Sequence, residues 1–257
     1  MKLIKERMVK MKKLRHGMLV VFSFLLIALM AMSAWGCTDI VVGKDASADG
    51  SVITSHTADG AFYDARVRTI PGKTFPAGSK VDVFWNIGMD EDFEPVKIGE
   101  IPQVEKTYTY FHVGYPFMNE HGVAIGESTI GQKDELKTFR PDAKALLTIE
   151  QLEVFALQRA KTAREAITVI GELAEKHGFL PSCGTEGESL TITDAEEAWL
   201  FEIRSAGFMW TPESGKPGAV WVAQRVPDDG VVVIPNMSRI REIDVNDKKN
   251  FMASKDY

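Results

Sequence analysis

Residues 37–60 read CTDIVVGKDASADGSVITSHTADG, and the fold follows from how this stretch is read. Residues 38–42 form a β-branched run, which is strand composition. Residues 44–50 read as a turn in which Asp49-Gly50 is the hairpin signal, and residues 51–55 return as a second strand. The hairpin therefore opens on Cys37. His56, Thr57, Ala58, Asp59 and Gly60 fall at the end of the second strand, a natural place for site residues.

Upstream of Cys37 lies a secretion signal. Lys10, Lys12, Lys13 and Arg15 make a basic n-region, residues 18–32 are almost unbroken in apolar character, and Ala34 and Gly36 put small residues at −3 and −1. The expected organisation is a signal peptide over 1–36 and an exported domain over 37–257, periplasmic or extracellular. Cutting after Gly36 makes Cys37 terminal, with thiol and α-amine on one residue. That amine titrates at about 7.7–8.0, so it can serve the thiol as a general base. Two other readings stay open. Lipoproteins also begin with cysteine, but their signal prefers Leu at −3 and a small residue at −2, where this chain has Ala34 and Trp35. An uncleaved anchor is the third, because the apolar stretch approaches the roughly 18–20 residues that span a bilayer.

Composition narrows the class. The chain has 257 residues, and the 221 beyond the signal suffice for one large domain. Residues 1–36 hold seven Lys/Arg and one acid, which leaves 37–257 at a net charge of −12. An acidic surface with no basic patch excludes nucleic acid as partner. Two cysteines make no disulfide framework, although Cys183 could pair with Cys37 in an oxidising compartment. The five histidines are scattered, with no HExxH or CxxC spacing, so neither metal nor cofactor is expected.

Further along, residues 62–110 are strand and loop material with prolines at 71, 76, 95 and 102. Residues 108–113 read as a strand, 116–122 as a turn, 123–126 as a strand, and Glu127-Ser128-Thr129 as a polar segment. The period then becomes helical. Thr148 with Gln151 makes one capping box, ahead of the stripe Ile149, Leu152, Phe155, Ala156 and Ala160. Thr162 with Glu165 makes a second, for a helix that ends at Gly178. Strands resume at 189–193, on which 198–203 pairs back across a turn at 194–197, and 219–226 with 231–234 flank residues 227–230 as a third hairpin ending at Asn236. Strands, two helices, then strands predict a layered α+β fold. Residues 247–257 offer no glycine stop or closing strand, so the chain reads as a fragment.

A family resemblance enters here. The opening CT at 37–38 and IVVGKDASADGS at 40–51, with SHTADG at 55–60, NEHGVAI at 119–125 and RAKTAREA at 159–166, resemble the bacterial dipeptidase A and secernin family of N-terminal-nucleophile hydrolases. So do GES at 187–189, EAWLFEI at 197–203 and WVAQRVPD at 221–228, in family order across most of 37–250. Members run to about twice this length. The resemblance implies an αββα sandwich, incomplete here at its C-terminus, and hydrolysis of dipeptides by the terminal cysteine.

Site residues carry over one at a time. Cys37 matches the nucleophile. More distant relatives, the penicillin V acylases and bile salt hydrolases, place Arg-x-x-Asp at the end of the second strand. Here Asp59 matches that carboxylate, while His56 stands where the arginine would be. Asn236 matches an asparagine aimed at the cysteine amine or oxyanion, and the other oxyanion asparagine would fall near Thr129. His56, Glu127, Thr129 and Arg225 are the candidates for holding substrate, Glu127 for its amine and Arg225 for its carboxylate. The expected activity is cofactor-independent cleavage of dipeptides. An acylase acting on other small amides and a lipid-anchored binding protein without catalysis are the alternatives. A homo-oligomer stays open.

Overall fold

A computed structural model describes residues 36–59, 63–85, 87, 94–138, 143–181 and 186–255. The expected signal segment, before Gly36, and Cys183 lie outside the described residues. In chain order the first strands are β1 (Thr38–Val42), β2 (Ile53–Thr57), β3 (Arg68–Ile70), β4 (Lys80–Trp85) and β5 (Val96–Pro102). Next come β6 (Tyr110–His112), β7 (Pro116–Asn119), β8 (Ala124–Ile130) and β9 (Leu147–Thr148). Helices α1 (Ile149–Arg159) and α2 (Ala163–His177) follow, then β10 (Phe179–Leu180), β11 (Gly187–Thr193) and β12 (Ala198–Ser205). The described chain closes with β13 (Ala219–Val226), β14 (Val231–Ile234) and β15 (Phe251–Ala253).

These make an α+β fold with two main antiparallel sheets. One has three strands in the order β14-β1-β2, and the other has eight, β15-β13-β12-β11-β8-β7-β6-β3. The opening hairpin forms as read, with Thr38 opposite Thr57 and Val42 opposite Ile53. Its second strand sits two residues later than expected, so His56 lies within β2 rather than past it.

Strand alternation sorts side chains between two cores. Val41 and Ile234 pack with Ala198, Leu200 and Val226 between the sheets, and a 2.7 Å bond between the Thr54 and Thr191 hydroxyls ties β2 to β11. Trp199, Phe201, Leu190 and Ile192 face the other way and join the helices in the larger core. The predicted stripe Ile149, Leu152, Phe155, Ala156 and Ala160 is wholly buried there.

Both helix starts form as expected: the Thr148 hydroxyl accepts from Gln151 N–H at 3.3 Å, and that of Thr162 from Glu165 N–H at 3.2 Å. Neither box closes in the usual way. Gln151 accepts instead from Phe84 N–H, tying α1 to β4, and Glu165 reaches back to Lys161 N–H. Gly178 caps α2 with a positive φ of 77°.

Three expectations are corrected. Residues 116–119 form β7, not a turn, because they pair with β6. The third hairpin does not exist: β13 is paired by β12 and β15, whereas β14 pairs β1, so residues 227–230 cross from one sheet to the other. Near the C-terminus, Phe251–Ala253 is a strand against β13 where no closing strand was expected. As for layers, helices cover one face of the eight-stranded sheet and the three-stranded sheet covers the other. The outer face of the smaller sheet presents Ile40, Ile53, Val231 and Val233, each at least 40% exposed, and no second helical layer lies over it among the described residues.

Candidate active site

Cys37 sits at the head of β1, where three other segments meet it. Its carbonyl lies 3.4 Å from the Ser128 hydroxyl of β8, and the same hydroxyl is 3.5 Å from the Ile234 carbonyl and accepts from Asn236 N–H at 3.1 Å. Ser128 thus clips the head of β1 to the end of β14. Asn236 Nδ2 donates to the Thr129 carbonyl at 2.9 Å, while its Oδ1 lies so close to Gly36 that a Cβ there would collide with it. The peptide entering Cys37 is therefore bordered directly by Asn236. Among the described residues Asn236 is the only non-glycine residue with positive φ, at 50°, a conformation asparagine tolerates better than most.

On the other side of Cys37 stand His56 and Glu127. Ligand atoms of Cys37, His56 and Glu127 all lie within 4.8 Å of one another, and His56 Nε2 is 4.0 Å from Glu127 Oε2. Glu127 is fully buried, its Oε1 accepting from the Thr129 hydroxyl at 3.4 Å. Burial first, and the neighbouring Glu188 next, push its carboxyl well above the usual range. Desolvation pulls His56 down to about 4. A neutral imidazole thus faces a carboxyl that favours its protonated form, and the pair is not an ion pair near neutrality. The His56 ring packs edge-on against Tyr115, centroids 5.0 Å apart, and lines a cleft of about 460 Å³ with Tyr63, Asp64, Tyr115 and Met118.

The fold thus brings together Cys37, Asn236, His56, Glu127 and Thr129, drawn from four places in the sequence. Two predicted residues stand apart. Asp59 is exposed, two residues beyond the end of β2. Arg225 is bound in a network instead of facing the cleft: it donates to Glu197 at 3.1 Å and to Asp228 at 2.5 Å, and Arg164 grips the same Glu197.

Asp39 was not anticipated. It points inward with Cys37 and Val41, is wholly buried, and carries two carboxylate oxygens without a hydrogen-bond partner. Burial, then Glu188, raise it to about 8. An acid at an inward position of a β-branched strand was the available signal, together with Glu153 inside an apolar helical stripe. Ser128 gave less warning, because it stood only as the middle residue of a polar segment.

A model of peptidase family C69 matches residues 36–257. The chain belongs to peptidase family C69. It is similar to a probable dipeptidase B of Streptococcus pyogenes serotype M1, at 28% identity over 95% of this chain and 45% of that protein. A probable dipeptidase of Salmonella dublin matches at 27% over 85% of this chain and 47% of its own length. A dipeptidase of Bifidobacterium longum strain NCC 2705 matches at 27% over 82% and 39%. This C69 chain thus spans less than half the length of these relatives, and the family match begins one residue before Cys37.

Proposed function

We propose that this chain carries the nucleophilic part of an exported dipeptidase, with Cys37 as the attacking thiol once residues 1–36 have been removed. The observation that carries the reading is the setting of Cys37: a buried cysteine at the head of a strand, its preceding peptide flanked by Asn236, in a chain of a peptidase family. In the uncleaved chain the Cys37 nitrogen belongs to the peptide bond with Gly36 and has no basic lone pair. Cleavage frees an amine that takes the thiol proton as sulfur attacks the scissile carbonyl. The C–N bond then breaks, the amine product leaves with that proton, and water hydrolyses the thioester to release the acid and restore the thiol.

Asn236 suits two duties in this scheme. Its Oδ1, now against Gly36, would accept from the freed amine, and the second hydrogen on Nδ2 would serve the oxyanion. The cleft beside His56 has the volume of a small-ligand site and is the proposed seat of the dipeptide. A single αββα sandwich would need a further helical layer, and the longer sequences of the relatives have room to supply one. Asp59 remains a candidate for orienting the amine after cleavage.

Intact mass of the protein recovered from an export-competent host tests the maturation step. A chain starting at an unmodified Cys37 is the expected result. A diacylglycerol adduct on sulfur, or residues retained ahead of Cys37, would remove the proposed base and overturn the mechanism.

A further inference from the structure

We infer that Cys37, His56 and Glu127 form a binding site for zinc that holds the thiol in an inactive, metal-bound form. The three side chains offer one sulfur, one imidazole nitrogen and one carboxylate oxygen, the donor types zinc takes. Their ligand atoms already lie within 4.8 Å of one another although the residues are far apart in sequence. Zinc bonds of 2.0–2.3 Å at tetrahedral angles place donor atoms about 3.3–3.7 Å apart. Closing the triangle therefore takes side-chain rotation of about an ångström, with no movement of the strands. His56 Nε2 and Glu127 Oε2, the two atoms that would turn to the metal, are both buried and lack a hydrogen-bond partner. His56 also lines the cleft, which supplies an entry path from solvent.

On binding, the thiol proton and the Glu127 carboxyl proton pass to solvent, and the thiolate and carboxylate become ligands; no electron is transferred. Water completes the four ligands in the uncleaved chain. After cleavage the Cys37 amine is placed to replace it, forming a five-membered ring with the sulfur. The same two groups that the proposed hydrolysis needs would then both be occupied. That inhibitory consequence rests on the dipeptidase reading, whereas the binding itself does not.

Cobalt(II) titration of the metal-free 257-residue chain tests the site. One equivalent should produce a thiolate-to-cobalt charge-transfer band that zinc abolishes. Cys37→Ser should lose the band, and His56→Ala and Glu127→Gln should each weaken cobalt binding at least about tenfold, with circular dichroism like that of the parent. A folded parent without the band, or a band equally strong in the His56 and Glu127 variants, would overturn the site. Zinc-edge X-ray absorption on the parent needs no variant: one sulfur with three nitrogen or oxygen donors supports it, and no sulfur or two sulfurs contradicts it. Neither readout involves hydrolysis, so failure of the hydrolase assignment would leave these outcomes unchanged.

Discussion

Asn236 holds a left-handed backbone at the point where β14 ends and Cys37 begins, and it does so with three contacts: N–H to Ser128, Nδ2 to Thr129, and Oδ1 against Gly36. Backbone strain of this kind persists where the surroundings impose it, and it concentrates at functional sites. Glycine accepts the same φ without penalty, so Asn236→Gly separates conformation from chemistry. The full-length protein carrying it should keep its melting temperature within a few degrees. Its turnover should fall by about 10²–10³, the usual loss for one oxyanion donor. A variant as active as the parent would reduce Asn236 to a backbone role. At this scale the candidates Cys37, His56 and Asn236 do come together, each standing in or beside a strand of the three-stranded sheet. The buried acid Asp39 was not singled out from the sequence. Asp59 has the right spacing but lies past the strand on exposed backbone, whereas Asp39 follows the inward alternation set by Cys37 and Val41.

At the scale of elements, the helix α1 carries an unusual load. Glu153 is 1% exposed, and neither of its carboxylate oxygens has a hydrogen-bond partner. Burial raises its pKa well above the ordinary value, and Glu150 on the same helix, Glu188 on β11 and Asp39 on β1 add to the shift, with Glu127 on β8 nearby. A folded-state value above the unfolded one means that the contribution to stability is complete in acid and is lost as pH rises. Glu153→Gln keeps the shape and removes the ionisation. It should raise the melting temperature more at pH 8 than at pH 5, as read by thermal denaturation. An equal effect at both values would mean that Glu153 does not resist ionisation.

The helices themselves were legible down to their caps, since Thr148, Thr162 and Gly178 act within one turn of chain. Strand partners were legible only where a short turn joins them, as in the opening hairpin and in β11 with β12, because the other pairings join segments far apart in sequence. Residues 219–226 and 231–234 look like two arms of a hairpin across Pro227 and Gly230, yet each finds a better partner in a different sheet.

For the molecule as a whole, the open side of the three-stranded sheet is the feature with physical consequences. Ile40, Ile53, Val231 and Val233 make an exposed apolar surface on strands β2, β1 and β14, two of which are sheet edges. Such a surface favours association. The 257-residue chain should self-associate at micromolar concentration, and Ile53→Lys combined with Val233→Lys should shift it toward monomer in size-exclusion chromatography with light scattering. A parent that is already monomeric would show that this face is protected by another route.

The proposed hydrolysis turns on the Cys37 thiol. Dipeptide hydrolysis by the full-length protein, compared with its Cys37→Ser variant over a panel of dipeptides, tests this most directly. Serine keeps the terminal amine and the approximate size, but near neutrality its hydroxyl is a far poorer nucleophile than a thiol. The parent should cleave members of the panel, and the variant should be slower by several orders of magnitude at unchanged stability. Equal rates in the two proteins, or no cleavage of any dipeptide by the folded, processed parent, would contradict it.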